Sequence, residues 1–240
     1  AVSPSGAPSS APERNLLCLS VHGDFAVAGG ADHGLAELDL RPCARGGAPQ
    51  RRRVLYTRAH GHSEWVTDVT HLADGRVLSA GMDAKLCVWN AAGPPRCIDL
   101  LGHSGSVSRV LAVARLAVAA SYDKPVRAWS VGGGGAESAC LRAHRAPVTQ
   151  LAWGRTGLAS ADRDGVVVAW DLERASGRKL GAHGGQASAI DVGDGGLVSG
   201  GLGGEVILWD ARLPRALAHS AKVHDGAVNA LRWLDDGRVA

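Results

Sequence analysis

Short apolar runs alternate along this chain with turns built on Gly, Asp and Ser. Between residues 62 and 101 the pattern is plain. Val66, Val69 and Leu72 mark a first short strand, and Ala73-Asp74-Gly75 a turn. Val77-Leu78-Ser79-Ala80 marks a second strand and Gly81-Met82-Asp83-Ala84 a tight turn. Leu86-Cys87-Val88-Trp89 is the third strand, and Arg96 to Leu101 the fourth. Evenly spaced β-rich runs between Gly/Asp turns predict an all-β fold of antiparallel hairpins.

The same four-strand pattern recurs. A His precedes a Trp by 26 or 27 residues in His62–Trp89, His103–Trp129, His144–Trp170 and His183–Trp209, with the Trp residues 40, 41 and 39 apart. Self-similarity at this period marks an array in which each unit is one small sheet. A weaker copy spans Leu16 to Leu40, where Ala28-Gly29-Gly30-Ala31-Asp32 matches the turn and Leu38 replaces the Trp. Pro42 to Arg53 reads as a long basic loop, and Gly132 to Gly135 as a flexible insert. A sixth copy starts at His224 with Val228, Trp233 and Asp235-Asp236-Gly237-Arg238-Val239, and the sequence stops inside its second strand. The expected organisation is a Ser/Pro/Ala-rich disordered leader over 1–15, then repeats at about 16–57, 60–101, 102–142, 143–181 and 182–222, with a partial unit at 223–240. An open sheet edge invites aggregation, so the intact protein is expected to continue for about one and a half further units.

Composition narrows the function. Over 240 residues the formal net charge is +3, so nothing demands a nucleic-acid partner. No apolar run reaches the roughly 18 residues of a membrane span. The start lacks the basic and apolar regions of a signal peptide. The five Cys are odd in number and form no C-x-x-C pair, which predicts reduced packing residues in an intracellular protein, cytoplasmic or nuclear.

At these residues the chain resembles the WD-repeat β-propeller family, across 16–240. The resemblance implies four-stranded antiparallel blades, here five plus a partial sixth, in a ring that would hold seven. It also implies a buried network in each blade. The full set is His62, Ser79, Asp83 and Trp89, and again His144, Ser160, Asp164 and Trp170. The third copy has His103, Asp123 and Trp129 with Ala119 at the Ser position. The fifth has His183, Ser199 and Trp209 with Gly203 at the Asp position. Buried polar atoms need partners, so the incomplete third and fifth sets predict softer blades. Because this His-centred set recurs from copy to copy, in whole or in part, its members read as structure rather than as a catalytic triad. His60-Gly61-His62 lacks further ligands at metal spacing. No enzyme activity, cofactor or metal site is expected.

The resemblance places partner binding on the narrow top face. The corresponding positions are Trp65, Asp68 and Met82; Ser106, Arg109 and Tyr122; Pro147, Gln150 and Arg163; Gln186, Ala189 and Leu202; and Ala31. Interface anchors are enriched in Trp, Tyr and Arg. Trp65, Arg109, Tyr122 and Arg163 would therefore hold an acidic or phosphorylated peptide with an apolar anchor. Trp153 and Trp233 are expected in the core, and Arg51-Arg52-Arg53 as a solvated edge. Partners are then proteins or peptides, with no small-molecule substrate and no membrane insertion, and nucleic acid is disfavoured. An alternative comes from Leu208-Trp209-Asp210-Ala211-Arg212. Its Trp-Asp-x-Arg ending resembles the motif by which some WD-repeat proteins dock on the cullin-4 ubiquitin-ligase adaptor.

Overall fold

The computed structural model describes residues 15–132, 134–210, 217–234 and 237–240. Among the described residues, twenty strands form five separate four-stranded antiparallel sheets, each made from four consecutive strands. Blade 1 holds β1 to β4 (Leu16–His22, Phe25–Gly30, Leu35–Asp39, Gln50–Leu55), with a 3-10 turn at Arg41–Arg45 before its last strand. Blade 2 holds β5 to β8 (Val66–His71, Val77–Gly81, Leu86–Trp89, Cys97–Leu100) and blade 3 holds β9 to β12 (Val107–Val113, Leu116–Ser121, Val126–Ser130, Glu137–Leu141). Blade 4 holds β13 to β16 (Val148–Gly154, Gly157–Asp162, Val166–Asp171, Ser176–Ala182) and blade 5 holds β17 to β20 (Ala187–Gly193, Gly196–Gly201, Glu205–Trp209, Leu217–Lys222). The architecture is that of a β-propeller.

The second strand of each blade is its most buried: Val77 to Gly81, Ala117 to Ser121, Leu158 to Asp162 and Leu197 to Gly201 are all buried. These runs are Ala-, Gly- and Val-rich because both their faces are covered, which removes the alternation of a half-exposed strand. The core is a series of seams between neighbouring sheets. Leu78, Leu86 and Leu100 of blade 2 pack with Val107, Val110 and Trp129 of blade 3, and Val118, Val126 and Leu141 of blade 3 with Val148, Leu151 and Trp170 of blade 4.

The first strands β1, β5, β9, β13 and β17 pack on one another in chain order. They surround a central cavity of about 490 Å³ lined by residues including Asp68, Arg109, Gln150, Trp153 and Asp191. Beyond blade 5 the chain begins to build against the next face. A Cβ on Gly200 would lie 2.5 Å from Val228 Cγ1, so glycine there admits Val228. At the other end, Leu17, Leu19 and Val21 of β1 are exposed.

Two expectations about packing need correction. Trp153 is 45% exposed and lines the central cavity instead of the core. Trp233 is half-buried against Gly193 and Gly195, whose missing side chains make room for its ring. The Arg51–Arg53 run is not simply a solvated edge. Glu37 is buried and pairs with both Arg52 and Arg53. Arg53 then donates to Asn90 O at 2.8 Å and Gly93 O at 3.1 Å, tying blade 1 to blade 2. Arg52 also lies 4.7 Å over the Phe25 ring. Blade 1 thus replaces its absent Trp network with an ion-paired outer hairpin.

Candidate functional site

The tight turn between second and third strands defines one end of every blade. Its fourth residue takes a left-handed backbone in each case: Ala84 (φ 64°), Lys124 (φ 87°), Gly165 (φ 80°) and Gly204 (φ 85°). The turn is held to the loop entering the first strand. Met82 N donates to Trp65 O (2.9 Å), Tyr122 N to Ser106 O (2.9 Å), Arg163 N to Pro147 O (3.0 Å) and Leu202 N to Gln186 O (3.0 Å). These eight positions therefore lie together at the same end of the molecule, the end where the buried His residues also sit.

The network beneath this end is complete in three of the four copies, by different means. In blade 2, His62 Nδ1 meets Asp83 at 3.0 Å, His62 Nε2 meets Ser79 Oγ at 2.8 Å, and Trp89 Nε1 donates to Ser79 Oγ at 2.9 Å. In blade 4 the carboxylate is Asp162, not Asp164: His144 Nδ1 to Asp162 is 2.7 Å, while Asp164 is exposed. The cause is the residue at the end of the second strand. Blades 2 and 5 have Gly81 and Gly201 there, where a Cβ would crowd the His Nδ1 at 2.4 and 2.8 Å. Blade 4 has Asp162 at this position, and its own carboxylate fills the space and takes the His directly. Asp162 Oδ1 also accepts from Asp164 N (3.0 Å) and Val166 N (2.9 Å), closing the turn.

Blade 5 is also not the softened blade its Gly203 implies. Glu205, two residues further on, reaches back to His183 Nδ1 at 2.8 Å, and Ser199 Oγ meets His183 Nε2 and Trp209 Nε1 at 2.7 Å each. Only blade 3 is open. With Ala119 at the Ser position, His103 Nε2 is buried with no partner, and Trp129 Nε1 donates instead to Leu101 O at 3.1 Å. Burial holds His103 and His144 below the usual imidazole range despite their carboxylate neighbours. A neutral ring facing a carboxylate carries its proton on Nδ1. His144 Nε2 then accepts from Ser160, whose oxygen accepts from Trp170. Each polar proton of the set is thereby donated within it.

Above the networks, the predicted surface residues divide into two groups. Trp65 (45%), Met82 (43%), Tyr122 (48%) and Leu202 (48%) are half-exposed on the rim, as is Arg163. Across blades 2 and 3 the rim is continuous. Trp65 O accepts from Met82 N, Met82 O accepts from Ser106 Oγ at 3.2 Å, and Ser106 O accepts from Tyr122 N. Asp68, Arg109 and Gln150 instead line the central cavity. Asp68 does not stand free on the surface: its side chain is 15% exposed and accepts from Val69 N (3.0 Å) and Val110 N (2.9 Å). It thereby ties the first strands of blades 2 and 3. Burial raises its carboxyl above the usual range, against the pull of Arg109, whose guanidinium lies 3.7 Å away. Arg109 Nε also donates to Gln150 Oε1 at 3.2 Å, so part of its donor set is occupied. Gln186 is half-buried. Trp209 belongs to the blade 5 network, and Arg212 lies outside the described residues.

Sequence reading missed a second recurring device. Thr67, Ser108, Thr149 and Ser188 each stand five residues after the His, and each occupies a bulge where the first strand's pairing shifts. The bulge turns the hydroxyl toward the next blade. Thr67 Oγ1 reaches Val107 O at 2.6 Å, Ser108 Oγ reaches Val148 O at 2.6 Å, and Ser188 Oγ reaches Val228 O at 2.5 Å. Thr149 Oγ1 reaches Ala187 O at 3.5 Å, and in blade 1 Cys18 Sγ reaches Val66 O at 3.8 Å. The Cys18 thiol, pushed up to about 12 by burial and then by Asp68, keeps the proton it donates. A hydroxyl at a fixed offset in all four copies was the available signal.

Comparison with known proteins agrees with this geometry. The family model described as "WD domain, G-beta repeat" matches residues 52–90 and 135–171. Mouse telomerase protein component 1 is 25% identical over 243 residues, covering 95% of this chain and 9% of that protein. Human apoptotic protease-activating factor 1 is 26% identical over 240 residues, covering 94% of this chain and 18% of that protein. The chain therefore spans only a small part of these relatives. The WD40 β-propeller domain of Doa1 superimposes with a TM-score of 0.74 at 19% identity, covering 93% of this chain and 74% of that one. Two stretches that match the WD-repeat family model, buried His-centred networks and five four-stranded sheets lead to one assignment: the chain is a β-propeller that carries WD repeats.

Proposed function

We propose that this chain is a non-catalytic scaffold that holds a partner protein or peptide on its top rim, centred on blades 2 and 3. The observation that carries this reading is the continuous rim of Trp65, Met82 and Tyr122, each more than two-fifths exposed and each fixed by backbone hydrogen bonds. Aromatic side chains held rigidly at a surface contribute large contact areas at low entropic cost. Arg163 follows Tyr122 at the same turn position of the next blade, and its exposed guanidinium suits an acidic or phosphorylated group beside an apolar anchor. Arg109, engaged by Asp68 and Gln150, tunes the mouth of the cavity instead. The His, Ser and Asp side chains that could serve chemistry are consumed in the buried networks, which supports a binding role.

Affinity purification of the full chain, read by mass spectrometry, tests this. Wild type is compared with Trp65→Ala/Tyr122→Ala, with the remote control Arg155→Ala and with Arg212→Ala. Hot-spot residues cost about 2 kcal/mol or more on truncation, so a direct partner should be lost from the double variant and retained by Arg155→Ala. A partner that survives the double variant sinks the rim assignment. A ubiquitin-ligase adaptor lost only with Arg212→Ala would favour docking through the Trp209–Arg212 ending.

A further inference from the structure

We propose that the outer hairpin of blade 2 binds one zinc ion through Cys87 Sγ, Cys97 Sγ and Asp99 Oδ1. In the β7–β8 register Cys87 stands opposite Asp99, and Cys97 opposite Trp89. Cys97 and Asp99, two apart on one strand, therefore share the face on which Cys87 lies across from them. The three potential ligand atoms lie within 4.8 Å of one another, and no other such group of three occurs among the described residues. Both sulfurs converge on the same oxygen: Asp99 Oδ1 is 3.5 Å from Cys87 Sγ and 3.3 Å from Cys97 Sγ. Zn–S bonds of about 2.3 Å and Zn–O bonds of about 2.0–2.2 Å at tetrahedral angles put sulfur and oxygen roughly 3.5–3.7 Å apart. The hairpin thus already holds these ligands near the spacing of two edges of a zinc tetrahedron.

The surroundings complete the argument. Lys85 Nζ holds the other carboxylate oxygen, Asp99 Oδ2, at 2.9 Å, which leaves Oδ1 facing the sulfurs. Such a partner orients a ligating carboxylate from outside. It also balances charge: two thiolates and a carboxylate carry three negative charges against the ion's two and the single ammonium. Cys87 is buried, Cys97 half-buried and Asp99 exposed, so the fourth position opens toward solvent and takes a water. Two thiolates with one carboxylate suit zinc better than copper(I), which favours sulfur alone, or magnesium and calcium, which favour oxygen. Binding forms two Zn–S bonds and one Zn–O bond and releases the two thiol protons to solvent, so affinity rises with pH. A ten-residue offset across a hairpin is invisible to a search for C-x-x-C, which is why the sequence showed no site.

The test uses the full chain, reduced and stripped of metal, titrated with cobalt(II) and then with zinc. Expected are one equivalent of cobalt, a near-ultraviolet thiolate charge-transfer band, tetrahedral d–d bands, and displacement by zinc. Cys97→Ser and Asp99→Asn, at partly exposed positions, should each weaken zinc binding by roughly tenfold or more, while Cys43→Ser on a remote exposed turn should not. Thermal melts of the metal-free variants identify any that fail to fold. Absence of the charge-transfer band, or cobalt binding unchanged in a folded Cys97→Ser variant, overturns the proposal. A Cys87–Cys97 disulfide that persists in a glutathione buffer at cytosolic poise overturns it equally.

Discussion

Asp162 and Asp164 stand two residues apart on one turn, and the repeat alignment picks the wrong one. Counting back from Trp170 selects Asp164, because Asp83 and Asp123 hold that offset in their blades. The alignment cannot register that Asp162 occupies a site that is glycine in blades 2 and 5, where an added side chain points straight at the buried imidazole. Removing Asp162 would leave three donors unmet: His144 Nδ1, Asp164 N and Val166 N. Asp162→Ala should therefore lower unfolding stability by about 1–3 kcal/mol, the cost of stranding a buried polar group. Asp164→Ala, at an exposed position, should stay within about 0.5 kcal/mol of wild type. Urea unfolding of the two variants decides the matter; equal losses, or a larger loss for Asp164→Ala, would return the carboxylate to its aligned position. Glu205 teaches the same lesson. A longer side chain two residues downstream restores what Gly203 lacks, and only geometry shows it.

At the scale of the single blade, strand order and turn positions were legible because each blade is one short-range hairpin meander with its own punctuation. The content of each network was only partly legible, since substitution at one position can be answered from another. Blade 3 is the case where no answer came. Its Ala119 is fully buried and His103 Nε2 has no partner, whereas the equivalent Ser79, Ser160 and Ser199 hydroxyls sit 2.6–2.8 Å from their imidazoles. Ala119→Ser would supply the missing O–H to a lone pair and an acceptor to Trp129 Nε1, at a position three sister blades show can hold it. The expected outcome is a gain of about 0.5–1.5 kcal/mol, seen as a higher melting temperature, together with slower amide exchange in β10 and β11. A loss of stability would mean that Trp129 Nε1, already bonded to Leu101 O, does not turn to the new hydroxyl.

Across the whole molecule, blades join through apolar seams and, from blade 2 onward, through one bulge hydroxyl per junction. Each of these hydroxyls has a single proton and two carbonyls in view. Thr67 is 2.6 Å from Val107 O in the next blade and 3.1 Å from Ala80 O in its own; Ser188 is 2.5 Å from Val228 O and 3.2 Å from Gly200 O. The proton goes to the nearer carbonyl, so the bond that forms is the one between blades. In an array of repeats that touch only their neighbours, stability is close to a sum of unit and junction contributions. Ser108→Ala and Ser188→Ala should each cost about 0.5–1.5 kcal/mol, and the double variant should cost their sum within about 0.5 kcal/mol, because the two bonds belong to different junctions. Thr149→Val should cost less than either, since its two distances are both 3.5 Å and neither bond is strong. Weakened junctions also uncouple neighbours, so the double variant should unfold over a broader range of urea with a smaller apparent m-value. Non-additivity well beyond 0.5 kcal/mol would show instead that the blades communicate through more than their shared faces, and a Thr149→Val loss matching Ser188→Ala would show that the hydroxyls are not what joins them.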